Sequence, residues 1–176
     1  SRDAAIRYAV QTPGVDPMML VSAMANVTEN IGFICTYSTT FHPPYECARA
    51  FSTLDHFTKG RIGWNVVTSY IKNAESNGLG EFLSHDRRYD RAEEYMEVVY
   101  KLWEGSWEND AVVRDVLQDT HTDPSKVHAI DHKGDFFSVQ GPHMCEPSPQ
   151  RTPMLFQAGA SPRGSAFGAK HAEAVF

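Results

Sequence analysis

Two shortages in the sequence, of cysteine and of positive charge, exclude several classes of protein. The 176 residues include three cysteines, Cys35, Cys47 and Cys145, and no CxxC pair. This odd, scattered set argues against a disulfide framework and favours a reducing compartment, so we expect a cytoplasmic location. The formal net charge is −6, whereas nucleic-acid binding usually needs a basic face. We therefore expect no nucleic-acid partner.

Long apolar runs are also missing. No stretch approaches the roughly 20 apolar residues that span a bilayer, and the first residues, SRDAA, lack the apolar region of a secretory signal. We therefore expect no membrane partner. The absent initiator Met and the last residues, AVF, which resemble a strand cut off midway, predict an internal part of a longer protein. The 41% hydrophobic and 22% charged residues are typical of one globular domain.

The first part of the chain alternates helix and strand signals. Asp16-Pro17 predicts a helix start, because Asp caps and Pro is tolerated at the first helical position. Apolar residues then follow at helical spacing and predict one buried stripe of Leu20, Ala23, Met24 and Val27. Residues 31–37 (IGFICTY) predict a strand covered on both faces. A second helix opens at His42-Pro43-Pro44 and ends at Lys59-Gly60, and its apolar side carries Ala48, Phe51 and Leu54.

The alternation continues along the rest of the chain. Residues 61–67 predict a strand and 73–80 a loop, followed by a helix over 86–104 that ends near Gly105. The inward stripe of this helix is predicted to be Tyr89, Ala92, Met96, Val99 and Trp103. Residues 106–150 are polar and irregular apart from a short β-like stretch at 135–139, and their length predicts an insertion. A strand at 154–158, a helix from Ser161-Pro162 to His171 and a strand from Ala174 follow.

This order predicts an α/β protein whose parallel strands are joined by helical crossovers. Two architectures fit: an open doubly wound sheet, or part of a (β/α)8 barrel. A complete barrel needs about 250 residues, so residues 1–176 with their long insertion supply about half of one. In both architectures ligands bind at the carboxyl ends of the strands, and polar groups occupy four such positions.

Two of these positions follow the first two strands. Thr36 and Ser38 carry hydroxyls that could contact a polar ligand or simply form a turn. Asn65 interrupts an apolar run, and a buried carboxamide must find partners. It either bonds neighbouring backbone or faces a ligand, and we favour the ligand because Thr68 and Ser69 follow directly.

The other two positions lie at helix starts. His85 and Tyr89 share one face at a helix N-terminus, which favours anions such as phosphate; the alternative is a surface histidine and a core tyrosine. Residues 157–164 (QAGASPRG) join a strand end to a capped helix, so the turn at Ala160 and Ser161 could present N–H groups to a phosphate. The alternative is a plain capped helix, and Arg163 adds weak support for an anion.

Three partial motifs carry no function. The turn after Gly159 lacks the lysine that a P-loop requires, which excludes a kinase or ATPase of that type. Gly78-Leu79-Gly80 is half of a dinucleotide fingerprint and does not directly follow a strand. We expect no metal site, because no tight ligand spacing relates His121, His128, His132 and His143.

Several motifs taken together resemble one family. They are residues 31–40 (IGFICTYSTT), 42–45 (HPPY), 48–49 (AR), 54–56 (LDH), 60–69 (GRIGWNVVTS), 85–89 (HDRRY) and 157–162 (QAGASP). In this order and spacing, the chain resembles the bacterial luciferase-like flavin monooxygenases over nearly its whole length. Within them it is similar to the branch of nitrilotriacetate and dibenzothiophene-sulfone monooxygenases.

The resemblance implies the central portion of a luciferase-like (β/α)8 TIM barrel and an enzyme that uses FMN as FMNH2, supplied by a separate NAD(P)H:flavin reductase. O2, the co-substrate, adds to the flavin to give a C4a-(hydro)peroxide that oxygenates a small organic substrate; we also expect a homo-oligomer. Ala160 stands where many relatives have Ser, which implies one missing hydroxyl contact. No catalytic acid or base is assigned. The family's flavin contacts carry over onto Thr36, Ser38, Asn65, His85, Tyr89, Ala160 and Ser161, the last two at the phosphate.

Two alternatives stay open at this point. One is a flavin- or deazaflavin-dependent reductase of the same fold, which inserts no oxygen. The other is a flavin-binding protein without catalysis, or a truncated and inactive one.

Overall fold

The computed structural model describes residues 2–10, 14–69 and 83–176. The loop predicted at 73–80, with its Gly78-Leu79-Gly80, lies outside these residues. In chain order the elements are α1 (Arg2–Arg7), α2 (Pro17–Asn26), β1 (Phe33–Ser38), α3 (Pro44–Thr58), β2 (Ile62–Val67), α4 (His85–Tyr100), β3 (Val112–Asp115), β4 (Thr120–Thr122), β5 (His132–Lys133), β6 (Ser138–Val139), β7 (Met154–Gln157), α5 (Pro162–His171) and β8 (Ala174–Val175).

The main sheet contains four parallel strands in the order β1-β2-β7-β8. Helices α3, α4 and α5 lie on the three successive crossovers, which confirms the predicted α/β alternation. The strands follow one another in chain order without a reversal. That order is the order of a (β/α)8 barrel, whereas a doubly wound sheet reverses direction at a switch point.

Trp64 of β2 lies at the centre of the core, between the sheet and its helices. It is fully buried, and its ring lies 5.4 Å from Phe51 of α3, 6.1 Å from Tyr95 of α4 and 6.2 Å from Trp103. Aromatic pairs at such separations stabilise beyond the area that they bury. The cluster therefore fixes α3 and α4 against the outer face of β2.

The predicted long helix is confirmed, with a change of geometry near its end. All five residues of its predicted inward stripe are buried. The α-helix stops at Tyr100 and continues as one π-helical turn, Lys101–Gly105. In α3 the predicted apolar side is also buried. The backbone then leaves α3 through Lys59, at φ 55°, and Gly60, at φ 83°, as the predicted stop requires.

The prediction for the apolar stripe of α2 is wrong. Asp16 caps the helix as expected, because its side chain accepts a hydrogen bond from the Met18 N–H. The buried residues, however, are Met18, Val21 and Ala25, whereas the predicted Met24 is 40% exposed. Apolar residues surround most of this helix, so spacing alone could not select the face that packs. The exposed members of the predicted stripe are Leu20, Ala23, Met24 and Val27.

Coverage of β1 on both faces is also contradicted. Phe33 and Cys35 are buried, but Ile34, which alternates with them, is 54% exposed. Helices cover the outer face of the sheet, while no second layer of the described residues covers the inner face of β1. The apolar run at 31–37 predicted two covered faces, but only the outer face of the strand is covered by the described residues.

The segment between α4 and β7 is more regular than its sequence indicated. It forms two antiparallel hairpins, β3–β4 and β5–β6, instead of the one β-like stretch predicted at 135–139. His143 anchors the segment to α3, where its Nε2 and the Ser52 Oγ are 2.9 Å apart. No helix within the described parts of the chain is long and apolar enough to cross a membrane.

Burial gives His143 a testable pH dependence. The side chain is almost fully buried, and desolvation lowers its pKa to about 4. In the unfolded chain the His143 imidazole is therefore protonated below about pH 6.5, whereas in the folded protein it stays neutral down to about pH 4. The free energy of unfolding should fall by roughly 3 kcal/mol as pH decreases from above 6.5 to 4. In His143→Gln this part of the slope should vanish, as measured by urea unfolding across that range. His128→Gln, at a half-exposed site, is the control; equal slopes for all three proteins would contradict the prediction.

Candidate functional site

The first part of the candidate site lies at the carboxyl ends of β1 and β2. These strands are paired so that Thr36 lies beside Asn65, and the Asn65 Nδ2 donates a hydrogen bond to the Thr36 Oγ1 at 2.9 Å. The Asn65 Oδ1 is buried and has no hydrogen-bond partner among the described residues. An unsatisfied buried acceptor costs about 1–3 kcal/mol, so this oxygen marks a place where a donor is missing.

The hydroxyl of Ser38 belongs to a turn that joins the two strand ends. Its Oγ accepts the Thr40 N–H at 3.1 Å and lies 2.9 Å from the Ser69 Oγ. Ser38 is buried, whereas Thr36 is exposed on the inner face. The turn chemistry that the sequence allowed at this position is therefore observed. The same contacts hold the Ser38 hydroxyl at the edge of the sheet, where Ser38 pairs with Val67 at the end of β2.

The second part is formed by the N-termini of α4 and α5. The rings of His85 and Tyr89 are 5.2 Å apart on one face of α4. Ser161 caps α5, where its Oγ accepts the Gly164 N–H at 3.0 Å. A Cβ built on Gly164 would lie 2.7 Å from the Tyr89 Oη and 3.0 Å from the Gly159 Cα. The Tyr89 hydroxyl therefore reaches the start of α5 and joins the two helix ends.

Gln157, to which the sequence assigned no role, shapes the turn before α5. It is buried at the end of β7, and its Oε1 accepts the Gly159 N–H at 2.8 Å. This bond curls the chain back so that Gly159 approaches Gly164, and it leaves Ala160 exposed on the turn. A buried polar residue at a strand end was the available signal, the same signal that identified Asn65.

Arg163 and His85, near these helix ends, each have an acidic neighbour. The Arg163 Nη2 lies 2.6 Å from the Asp90 Oδ1, so this arginine bridges α5 to α4 and is not a free anion-binding group. The His85 Nδ1 lies 2.8 Å from the Asp86 carboxylate. Binding of an anion would therefore rely on backbone N–H groups, hydroxyls and the two helix dipoles. Within the described ranges, no group of three or more His, Cys, Asp or Glu side chains is arranged to hold a metal ion.

All seven predicted site residues lie at one edge of the sheet. Thr36, Ser38 and Asn65 lie in the C-terminal halves of β1 and β2, while α5 begins five residues after β7, the neighbour of β2. Tyr89 connects α4 to the same helix end. Polar groups that converge at the carboxyl edge of a parallel sheet are the usual small-molecule site of an α/β barrel.

The chain belongs to the luciferase-like monooxygenase family, whose family model matches residues 4–176. It is 62% identical to the long-chain alkane monooxygenase of Geobacillus thermodenitrificans, covering 100% of the chain and 40% of that protein. It is 49% identical to the dibenzothiophene-sulfone monooxygenase of Rhodococcus erythropolis (92% and 36% covered) and 44% identical to the nitrilotriacetate monooxygenase component A of Aminobacter aminovorans (92% and 36%). These relatives confirm the branch that the motifs indicated.

Solved structures confirm the barrel fold. The crystal structure of the long-chain alkane monooxygenase superposes with a TM-score of 0.95, over 100% of this chain and 41% of that one. The crystal structure of riboflavin lyase with modified FMN and the substrate riboflavin superposes with a TM-score of 0.91 at 44% identity, over 99% and 39%. The chain thus corresponds to part of a luciferase-like (β/α)8 barrel and spans about 40% of the length of these relatives.

The contact between Gly159 and Gly164 predicts a strong effect of a single methyl group. In Gly164→Ala the added Cβ would clash with the Tyr89 hydroxyl and with backbone. The free energy of unfolding should therefore fall by about 1–3 kcal/mol, as measured by urea unfolding. Ser165→Ala is the matched control, because Ser165 is exposed one residue later on the same helix. If Gly164→Ala lowers the free energy of unfolding no more than Ser165→Ala does, the close approach of Gly159 and Gly164 is refuted.

Proposed function

We propose that the protein is an FMNH2-dependent monooxygenase that receives reduced flavin from a separate NAD(P)H:flavin reductase and oxygenates a small organic substrate. The observation that carries this proposal is the buried Asn65 Oδ1, which has no hydrogen-bond partner among residues 2–10, 14–69 and 83–176 and lies at the same sheet edge as the capped start of α5. One end of the site lacks a hydrogen-bond donor and the other end attracts an anion. FMN has an N–H on its ring and a phosphate on its side chain.

The residues at the strand ends fit the ring and ribityl chain of FMN. The Asn65 Oδ1 could accept the ring N–H, which would satisfy an oxygen that is otherwise a cost to the fold. The Thr36 hydroxyl lies beside Asn65 and the Ser38 hydroxyl ends the same strand, and both can donate to carbonyl or hydroxyl oxygens. Asn65 is held in place by its bond to Thr36, so the acceptor is already oriented before a ligand binds.

The two helix ends fit the phosphate. Ser161 and the backbone at Ala160 lie at the start of α5, and Tyr89 brings a hydroxyl to the same point. His85 stands at the start of α4. Partial positive charge at helix N-termini stabilises a phosphate without a basic side chain, which is consistent with the pairing of Arg163 to Asp90.

Bound reduced flavin would supply the activation of O2, while the chain's own residues bind it, orient it and exclude water. The relatives are named for an alkane, a sulfone and an aminopolycarboxylate, three unlike substrates. We therefore assign flavin binding to this shared part and leave substrate choice to residues that differ. The name "component A" of one relative supports a separate reductase as partner, and the expectation of a homo-oligomer is kept as part of the proposal.

Two measurements on the full-length protein test the proposal. Anaerobic titration with FMNH2, followed by flavin fluorescence, should show binding at micromolar flavin. Oxygen uptake with a supplied flavin reductase and a panel of alkanes, organosulfur compounds and aminopolycarboxylates should then give substrate-dependent oxygenated product. Absence of flavin binding would exclude the whole proposal. Flavin binding with substrate reduction and no oxygenated product would replace it with a reductase.

Asn65→Ala and Ser161→Ala should each weaken FMNH2 binding by about 1–3 kcal/mol, because the first removes a buried acceptor and the second a half-buried hydroxyl. Titration calorimetry or fluorescence under anaerobic conditions measures the change. Asn30→Ala, at an exposed position outside the strands, controls for Asn65. Asp16→Ala removes the cap of α2 at a similar cost in stability to the loss of Ser161 and should leave flavin affinity unchanged. Wild-type affinity in the two site variants would refute the site.

A further inference from the structure

The hairpin β5–β6 is held against α4 by a group of five residues, here called the hairpin clasp: Arg87, Arg91, Glu94, Phe136 and Phe137. The guanidinium carbons of Arg87 and Arg91 lie 4.7 Å and 4.6 Å from the ring centres of Phe136 and Phe137, respectively. Cation–π contacts of this kind attract a guanidinium group to the face of an aromatic ring. The two arginines are one helical turn apart, so they present both guanidinium groups to the same hairpin.

Glu94 completes the clasp by capturing the backbone of the hairpin. Its carboxylate accepts the Phe136 N–H at 2.9 Å and the Phe137 N–H at 2.7 Å, and the His132 Nε2 lies 3.2 Å away. Burial alone would raise the pKa of Glu94, but these hydrogen bonds outweigh it and hold the pKa below its ordinary value. A Cβ on Gly134 would lie 2.5 Å from the Glu94 Cδ, so a side chain there would displace the carboxylate from its place against the hairpin.

Arg91 also reaches the turn that follows β1. Its Nη1 donates a hydrogen bond to the Thr39 carbonyl oxygen, and Thr39 is 1% exposed. The neighbouring contacts of this turn run to the end of β2: the Thr39 N–H donates to the Val67 carbonyl at 3.0 Å and the Thr40 hydroxyl to the Thr68 carbonyl at 2.7 Å. Arg91 therefore ties the turn to the helix layer, while the other bonds tie it to the sheet.

We propose that Arg91 is a positioning residue for the flavin site: held by Phe137 of the hairpin, it fixes the Ser38–Thr40 turn and so the direction of the Ser38 hydroxyl. The hairpin at 132–139 lies outside the sheet, yet through Arg91 it supports the strand end where Ser38 meets the ligand. The flavin part of this inference rests on the proposed function; the part that concerns the turn does not.

The test compares Arg91→Met with Arg91→Lys in the full-length protein. Methionine keeps the apolar stem over Phe137 but has no N–H, whereas lysine keeps a donor for the Thr39 carbonyl. The matched control is Arg87→Met, which loses the contact with Phe136 on the same helix face. Two properties are measured: amide hydrogen exchange over residues 36–41 without flavin, and the Kd for FMNH2 under anaerobic conditions.

Arg91→Met should speed exchange over residues 36–41 by about tenfold and raise the Kd for FMNH2 by a similar factor, as expected for loss of one charge-assisted hydrogen bond. Arg91→Lys should stay within about threefold of wild type in both, and Arg87→Met should match wild type. In turnover, the KM for FMNH2 should rise in Arg91→Met while kcat at saturating flavin is retained.

A second pair of variants tests the hairpin without touching Arg91. Phe137→Leu removes the ring under Arg91 and should shift both measurements in the direction of Arg91→Met, whereas Phe136→Leu should not. Unchanged exchange in Arg91→Met, or equal effects of Arg87→Met and Arg91→Met, would overturn the inference. If wild type binds no FMNH2, the proposed function fails, and the exchange measurements still decide whether Arg91 fixes the turn.

Discussion

The alternation of side chains along β2 is the constraint on which the rest of the structure depends. Trp64 points outward into the aromatic cluster of α3 and α4, and its Nε1 donates to the Tyr37 carbonyl at 3.0 Å. The next residue, Asn65, must then point to the opposite face. The largest buried side chain of the core therefore sets the direction of the polar residue at the site. A shift of one residue in the register of β2 would turn Asn65 towards the core and Trp64 towards the site. Both the aromatic cluster and the polar group at the site would then be lost.

Much of the fold could be predicted where periodicity and end signals agreed. The α4 stripe repeats at helical spacing over four turns, and α5 has both a serine cap and a proline at its first position. Local sequence patterns were therefore enough to predict these two helices. In α2 the cap was equally clear, but apolar residues on nearly every side left the packing face undetermined. Only the tertiary position of α3 and β1 selects Met18, Val21 and Ala25.

The candidate site likewise has a part that the sequence could predict and a part that it could not. Thr36 and Asn65 could be placed together because parallel strands carry their carboxyl ends to one edge. The bond from Arg91 to Thr39 joins residues 52 apart in sequence, and Glu94 meets Phe137 across 43. No local sequence pattern predicts such contacts, because an arginine or a glutamate on a helix usually faces solvent. Those residues acquire their roles only once the hairpin has folded onto α4.

The pairing of Arg163 with Asp90 has a consequence for how a phosphate could come and go. A site that holds its anion by directed N–H and hydroxyl groups, with Arg163 already paired with Asp90, depends less on ionic strength than a site built from free arginines. Long-range attraction is weak there, so the ligand is recognised at short range and is not trapped by opposite charge. This property is consistent with the proposed function, in which the flavin is received from a separate reductase and leaves again after each cycle, in the manner of a substrate.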